Sequence, residues 1–240
     1  MCNKACIQAG ESHLSRTEIM GKRIIEVGAI NINGSLRENI ESLQPMSYLG
    51  VDIADGNGVD EICDVTNLIK RFGKESFDVV VCTEVLEHVR DWRKAISNLK
   101  NILKPNGILL LTTRSRPFPY HGNPFDFWRY EIDDMQVIFS DLSAETIEKD
   151  PLSPGVFVKA HKPVDFSERN LEAHELYSIV RDKYCRNISG FEILTLKTRR
   201  WVLQKLPDVL ILKPRHWVSR ILPTQVKAGI RKLVSREIRL

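Results

Sequence analysis

The stretch Arg23-Ile24-Ile25-Glu26-Val27-Gly28-Ala29-Ile30-Asn31-Ile32-Asn33-Gly34-Ser35 constrains the fold more than any other part of the chain. It runs an apolar strand through one acid into a glycine turn that opens a helix. Gly28 frees the chain for a tight turn at the strand's carboxyl end, and Gly34 lets the next helix start close to whatever lies above that edge. Glu26 is the one charge in the strand. It can accept hydrogen bonds from amino or hydroxyl groups of a ligand and would repel a phosphate. The Gly28 to Gly34 spacing does not fit G-x-G-x-x-G, and no Gly-Lys-Ser/Thr follows, so a P-loop or an ordinary dinucleotide turn is disfavoured. From this segment alone, a plain strand-turn-helix and a cofactor site are equally admissible.

The rest of the chain repeats the strand-helix alternation, which is the signature of a parallel sheet with crossover helices. Strands are expected over 23–27, 48–53, 60–63, 77–83 and 108–113. The run Phe77-Asp78-Val79-Val80-Val81-Cys82-Thr83 lacks alternation and reads as buried on both faces. Asp91 caps a helix whose apolar residues Trp92, Ala95, Ile96, Leu99, Ile102 and Leu103 share one face, and Pro105, Asn106 and Gly107 stop it. Helices are expected over 36–43, 133–139, 171–184 and 226–240. Residues 144–149 and 156–160 read as an antiparallel hairpin that finishes the sheet. The expected fold class is therefore α/β, a doubly wound, mostly parallel seven-stranded sheet. The domain plan is an N-terminal segment (1–20), the α/β domain (21–163), a helical connector (164–194) and a basic extension (195–240).

In 240 residues, 42% of them hydrophobic, there is enough apolar material for one such domain with an appendage. No basic start leads into a long apolar stretch, and the runs at 79–81, 108–111 and 209–212 are too short to span a bilayer, so a cytoplasmic location is expected. Five scattered cysteines do not make a disulfide framework. Cys63 and Cys82 read as small core residues. Cys2 and Cys6 lack the further ligands of a zinc or iron-sulfur site, and no metal site is expected.

Ligands of a parallel sheet bind at the carboxyl ends of its strands. Four acids stand there: Glu26, Asp52, Asp64 and Glu84. Asp52 follows Glu26 by about the interval at which a carboxylate takes ribose hydroxyls, and Asp64 can accept from an adenine amino group. Four acids without a phosphate cradle favour a cationic adenosine ligand.

These residues resemble the class I S-adenosylmethionine-dependent methyltransferases, specifically the type 11 methyltransferase domain, over residues 21–163. Glu26-Val27-Gly28 is similar to the first motif, Val51-Asp52-Ile53 to the ribose acid and Cys63-Asp64-Val65 to the adenine loop. Phe77-Asp78-Val79-Val80 leading into Glu84-Val85-Leu86-Glu87-His88-Val89 is similar to the fourth motif, and Leu103-Lys104-Pro105-Asn106-Gly107 to the turn before strand five. The resemblance implies that Glu26, Gly28, Asp52, Ile53, Asp64 and Val65 bind S-adenosylmethionine, with Thr83 and Glu84 near its methionine end. The first turn is longer than the family's acid-x-G-x-G-x-G. Asn31 and Asn33 are expected to stand in for the missing glycine, since asparagine tolerates left-handed backbone angles, and Asn33 and Gly34 are counted among the cofactor-binding residues.

Methyl transfer needs an acceptor lone pair held opposite a sulfonium methyl, with a base if the acceptor is a hydroxyl. His88, after strand four, is one candidate, and a structural histidine is the alternative. The loop Pro117-Phe118-Pro119-Tyr120-His121-Gly122-Asn123-Pro124-Phe125-Asp126-Phe127-Trp128-Arg129-Tyr130 is richer. It offers His121 as base, Tyr120 and Tyr130 as hydroxyl partners and Asp126 with Arg129 as an orienting pair; the alternative is a structural ion pair under an aromatic lid. The loop is similar to a stretch of methyltransferases encoded with glycan-assembly genes. That similarity implies a hydroxyl of a sugar or lipid-linked saccharide as acceptor.

From residue 195 onward, twelve Lys or Arg face two acids, a net +10, while the rest of the chain carries −6. A basic segment with Trp201 and Trp217 suits an anionic membrane surface or a partner, nucleic acid could use the same charge, and a solvated helical extension packed on the catalytic domain or on a second subunit, as in a homodimer, is the plainer reading. The alternative to an enzyme is a methyltransferase-like scaffold whose tail makes the principal contacts.

Overall fold

A computed structural model describes residues 4–122 and 125–193. The expected helix over 226–240 and the basic extension from 195 lie outside these residues. Residues up to 187 form one compact unit. Of the second unit, residues 188–193 are described: a helical turn begins at Gly190, with the Ser189 hydroxyl donating to Glu192 at 2.8 Å.

The elements of the first unit, in chain order, are α1 (Lys4–His13), α2 (Arg16–Ile19), β1 (Arg23–Val27), α3 (Arg37–Ser42), β2 (Ser47–Asp52), β3 (Glu61–Ile62), α4 (Leu68–Phe72), β4 (Phe77–Thr83), α5 (Trp92–Ile102), β5 (Leu103–Arg114), β6 (Trp128–Arg129), α6 (Ile132–Ile138), β7 (Ser143–Lys149), β8 (Gly155–His161), β9 (Leu176–Ser178) and β10 (Lys183–Cys185). Seven strands form one sheet in the order β3-β2-β1-β4-β5-β8-β7. The pairs from β3 to β5 are parallel, and β8 runs antiparallel to both β5 and β7. The strand order reverses between β1 and β4. A crevice therefore opens at their carboxyl ends, where the chain leaves β1 for α3 and β4 for the turn at Glu84.

The central strands are apolar because both of their faces are covered. On one face Ile24, Val79, Val81, Ile108 and Leu110 pack against Ala5, Cys6 and Ala9 of α1 and Leu36 and Ile40 at α3. The segment before β1 thus contributes to the same core as the sheet. On α5, Trp92, Ala95, Ile96, Leu99 and Ile102 are buried on the expected face, and Asp91 caps the helix by accepting from the Lys94 amide. Side chains such as Ile96, Leu99 and Ile102 contribute roughly 1.5–3 kcal/mol each when fully buried. Cys6, Cys63, Cys82 and Cys185 are buried.

Two expectations are corrected. Pro105, Asn106 and Gly107 do not separate α5 from β5; the strand begins at Leu103 and absorbs them as an irregularity, with Asn106 at φ 61° and the β4 pairing shifted between Phe77 and Val79. Nor is there a helix over 171–184. Leu176–Ser178 and Lys183–Cys185 form a hairpin, and β9 pairs with Trp128 and Arg129 of the long loop after β5. Leu176 and Ser178 are buried while Tyr177 between them is not, a period of two that tertiary pairing selects over local propensity. This small three-stranded sheet pins the returning end of the loop over the carboxyl edge of β4 and β5.

Candidate active site

The cofactor half begins at Gly28, whose φ of 87° suits glycine, and whose amide donates to the Val51 carbonyl at 2.9 Å. A Cβ there would lie 2.2 Å from Val85 Cγ2 of the turn after β4. Gly28→Ala is therefore expected to destabilise the protein by about 1–3 kcal/mol, read as a lower urea midpoint, because left-handed strain and a clash coincide. Glu26 is only 2% exposed and accepts from the Tyr48 hydroxyl; burial pushes its carboxyl up despite that bond.

Asn31 and Asn33 do not take left-handed angles, which corrects the expected substitution for glycine. Instead the Asn31 side chain accepts from the Gly34 amide at 3.0 Å, so a side chain replaces the turn that a second glycine would make. Gly34 has φ 131° and packs on Ile7, while Asn33 is exposed.

Asp52 ends β2, half-buried, with Oδ1 accepting from the Ile53 amide at 2.7 Å and Oδ2 from the Ile30 amide at 3.3 Å. Each oxygen keeps a second lone pair for a hydroxyl donor. Ile53 beside it is a 62% exposed aliphatic side chain. Asp64 is exposed and caps a 3-10 turn by accepting from the Thr66 amide at 2.7 Å, with Val65 buried beneath. A carboxylate fixed by two amides next to an exposed apolar side chain fits the ribose and ring of an adenosyl group, and the turn at Gly28 to Gly34 offers backbone to its amino acid part.

At the methionine side, Thr83 and Glu84 are buried. Glu84 has φ 56°, its amide donates to the Thr112 carbonyl at 2.9 Å, and its carboxylate pairs with Arg114 and accepts from Thr112 Oγ1. Burial and the neighbouring Glu87 charge push its carboxyl well up.

The acceptor half is the turn Leu86–His88 together with the loop after β5. Glu87 is fully buried; Thr113 Oγ1 donates to its Oε2 at 2.9 Å, and Oε1 lies 3.6 Å from His121 Nε2 and 3.9 Å from His88 Nε2. Burial opposes the charge, but His121 and His88 hold the Glu87 carboxyl below its ordinary value. His121 Nδ1 meets Asp126 Oδ2 at 2.8 Å. Burial alone would lower the imidazole, yet Asp126 and Glu87 raise it to about 9. Asp126 is fully buried; burial works to raise it, but Arg129 and His121 bring it down to about 2.

Arg129, also fully buried, grips both Asp126 oxygens at 2.6 and 2.7 Å and the carbonyls of Phe118 and Pro119. Asp126 and Arg129 therefore position His121 from inside the protein rather than touch an acceptor. The Tyr130 hydroxyl is buried on the Leu86 carbonyl, and Trp128 donates to the carbonyls of Val89 and Arg90. Phe118, Tyr120 and Phe125 stay half-buried. Tyr120 packs over Gly122, where a Cβ would lie 2.7 Å from its hydroxyl oxygen.

The sequence brings His88 and His121 into view as candidates, and the structure seats them together with ring centroids 4.8 Å apart. It adds Glu87, which sequence reasoning passed over; the available signal was its place in Glu84-x-x-Glu87-His88, on the same short turn as both flanking candidates.

A seven-stranded sheet of this order, with its crevice at the β1/β4 switch and acids at the strand ends, is the class I Rossmann-like methyltransferase architecture. A family model described as a methyltransferase domain matches residues 12–150. The chain belongs to this family and carries an S-adenosylmethionine-dependent methyltransferase domain.

Among similar proteins are two ubiquinone biosynthesis O-methyltransferases. That of Histophilus somni (strain 2336) is 28% identical over 130 residues, covering 54% of this chain and 45% of the relative. That of Idiomarina loihiensis is 28% identical over 111 residues, covering 41% and 44%. The matches span less than half the length of these relatives. A crystal structure of an S-adenosylmethionine-dependent methyltransferase from Mesorhizobium loti superposes with a TM-score of 0.52 at 16% identity, covering 67% of this chain and 99% of that one. The Burkholderia thailandensis 1,6-didemethyltoxoflavin-N1-methyltransferase, solved with S-adenosylhomocysteine, superposes with a TM-score of 0.54 at 12% identity over 67% and 80%. At these identities the likeness is one of fold.

Proposed function

We propose that the protein transfers a methyl group from S-adenosylmethionine to a hydroxyl of a small polar acceptor seated over Glu87, His88 and His121. The observation that carries this is a fully buried carboxylate flanked by two imidazoles, under the loop that covers the carboxyl ends of β4 and β5. When bound, the cofactor supplies an electrophilic methyl on a sulfonium. The protein's part is to bind, align and exclude water, and to stabilise the acceptor oxygen as its proton leaves. His121 Nδ1 is tied to Asp126 and its Nε2 faces Glu87 Oε1, so two carboxylates gather positive charge beside the acceptor oxygen rather than leave a free base there.

On the cofactor side, Glu26, Gly28, Asn33, Gly34, Asp52, Ile53, Asp64, Val65, Thr83 and Glu84 remain the proposed contacts, with Asp52 the one tested most simply. Asp52→Ala is expected to weaken S-adenosylhomocysteine binding about 10- to 100-fold by calorimetry, the scale of one or two charge-assisted hydrogen bonds. Unchanged affinity would remove Asp52 from the site.

A saccharide remains our proposed acceptor, supported by the half-buried Phe118, Tyr120 and Phe125 beside polar groups. A second reading, an aromatic hydroxyl, is favoured by the names of the ubiquinone relatives. Incubation with methyl-labelled S-adenosylmethionine and parallel panels of sugar nucleotides, lipid-linked saccharides and catechols separates them; label in the catechols alone would overturn the saccharide reading.

Among the described residues, no helix is long and apolar enough to cross a membrane. We also propose that residues 195–240 dock the enzyme on anionic lipid, given their twelve basic residues and two tryptophans. Removal of these residues is expected to abolish sedimentation with phosphatidylserine vesicles at low salt, and unchanged sedimentation would refute this.

A further inference from the structure

His88 Nδ1 lies 2.6 Å from the Phe125 carbonyl oxygen. A carbonyl only accepts, so Nδ1 carries the hydrogen and the neutral ring presents a lone pair at Nε2. That Nε2 is buried and has no hydrogen-bond partner among the described residues, and the same holds for Glu87 Oε1. The two atoms face each other at 3.9 Å. Opposed, buried acceptors are costly unless a positive charge lies between them. His121 closes the group from the other side, with Nε2 3.6 Å from the same Glu87 oxygen and Nδ1 anchored on Asp126.

We propose that Glu87 Oε1, His88 Nε2 and His121 Nε2 bind one divalent transition-metal ion. The three atoms lie within 4.8 Å of one another. Bonds of about 2.0–2.2 Å limit two ligands of one ion to roughly 4 Å apart. The spacings from Glu87 Oε1, 3.9 Å to His88 and 3.6 Å to His121, satisfy that limit, and the distance between the two imidazole nitrogens is at most 4.8 Å.

The surroundings are those of a prepared site. Each imidazole has its Nδ1 held by an oxygen, the Phe125 carbonyl for His88 and Asp126 for His121, which aims Nε2 inward. Thr113 occupies the other Glu87 oxygen, and Arg129 fixes Asp126. Two imidazoles and one carboxylate suit a first-row transition ion better than magnesium or calcium. Three protein ligands leave a coordination position open, the mark of a catalytic rather than a structural site.

This inference rests on the methyl-transfer reading and deepens it. The acceptor hydroxyl takes the open position and gives its proton to water as it binds. The metal-held oxygen then attacks the sulfonium methyl: the O–C bond forms, the C–S bond breaks with its electron pair going to sulfur, and S-adenosylhomocysteine leaves. The ion changes neither charge nor oxidation state.

The test uses the full chain, free of any affinity tag and stripped with chelator, titrated with Co2+ while its visible d–d absorption is recorded. The expected result is one equivalent bound, with affinity reduced at least ~100-fold in Glu87→Gln and in His121→Ala. Thermal stabilisation by S-adenosylhomocysteine, retained in both variants, shows that they fold. No saturable absorption in the wild type, or wild-type titrations in both variants, overturns the site. If the wild type binds cobalt but gains no stability from S-adenosylhomocysteine, the metal site stands and the methyl-transfer reading falls.

Discussion

Glu87→Gln is expected to lower kcat for methyl transfer by about 100- to 1000-fold while leaving the KM for S-adenosylmethionine nearly unchanged. The carboxylate is fully buried, and one of its oxygens faces two imidazole nitrogens with no donor between. Glutamine keeps the volume and the bond from Thr113 but removes the negative charge that holds a cation, whether proton or metal, beside the acceptor oxygen. The Gly28 turn and Asp52 stand at the ends of β1 and β2 rather than on the Leu86–His88 turn, so cofactor binding is expected to be spared. Steady-state rates with methyl-labelled cofactor measure this. A fall of less than about tenfold would mean that Glu87 only supports the fold.

Arg129→Ala is expected to cost about 3–5 kcal/mol of stability, the largest effect foreseen for any single change. The guanidinium is fully buried, makes a two-pronged pair with Asp126 and also donates to the carbonyls of Phe118 and Pro119. Truncation leaves a buried carboxylate paired with His121 alone and frees the carbonyls of Phe118, Pro119 and Trp128. Arg129→Lys restores the charge but not the planar fork, so it should recover only part of the loss. Urea denaturation of the three proteins decides this. A cost below about 1 kcal/mol for Arg129→Ala would show that the pair is not the keystone of the loop.

What was legible in the sequence follows from what is local. The apolar runs at β1, β4 and β5, the Asp91 cap and the buried face of α5 each depend on neighbours a few residues away, and the mostly parallel pairing follows from strand-helix alternation. The place of Asp52 at the end of β2 was legible because the distance from Glu26 is fixed by one strand-helix-strand unit. The hairpin at β9 and β10 was not, because its strand identity comes from pairing with Trp128 and Arg129, far away in sequence. The glycine turn was half legible: its length was visible, but not that the Asn31 side chain closes it onto Gly34. Glu87 was passed over for the same reason. Its significance arises only when the loop after β5 folds back to set His121 against it and the Phe125 carbonyl against His88.

Methyl transfer by this chain requires that the carboxyl edge of β1, β2 and β4 be an adenosylmethionine site. Calorimetric titration of the wild-type protein with S-adenosylhomocysteine, with NAD and ATP run in parallel, tests it most directly. Saturable one-to-one binding of S-adenosylhomocysteine and none of the other two is expected; no binding of S-adenosylhomocysteine, or a preference for NAD or ATP, would rule the site out.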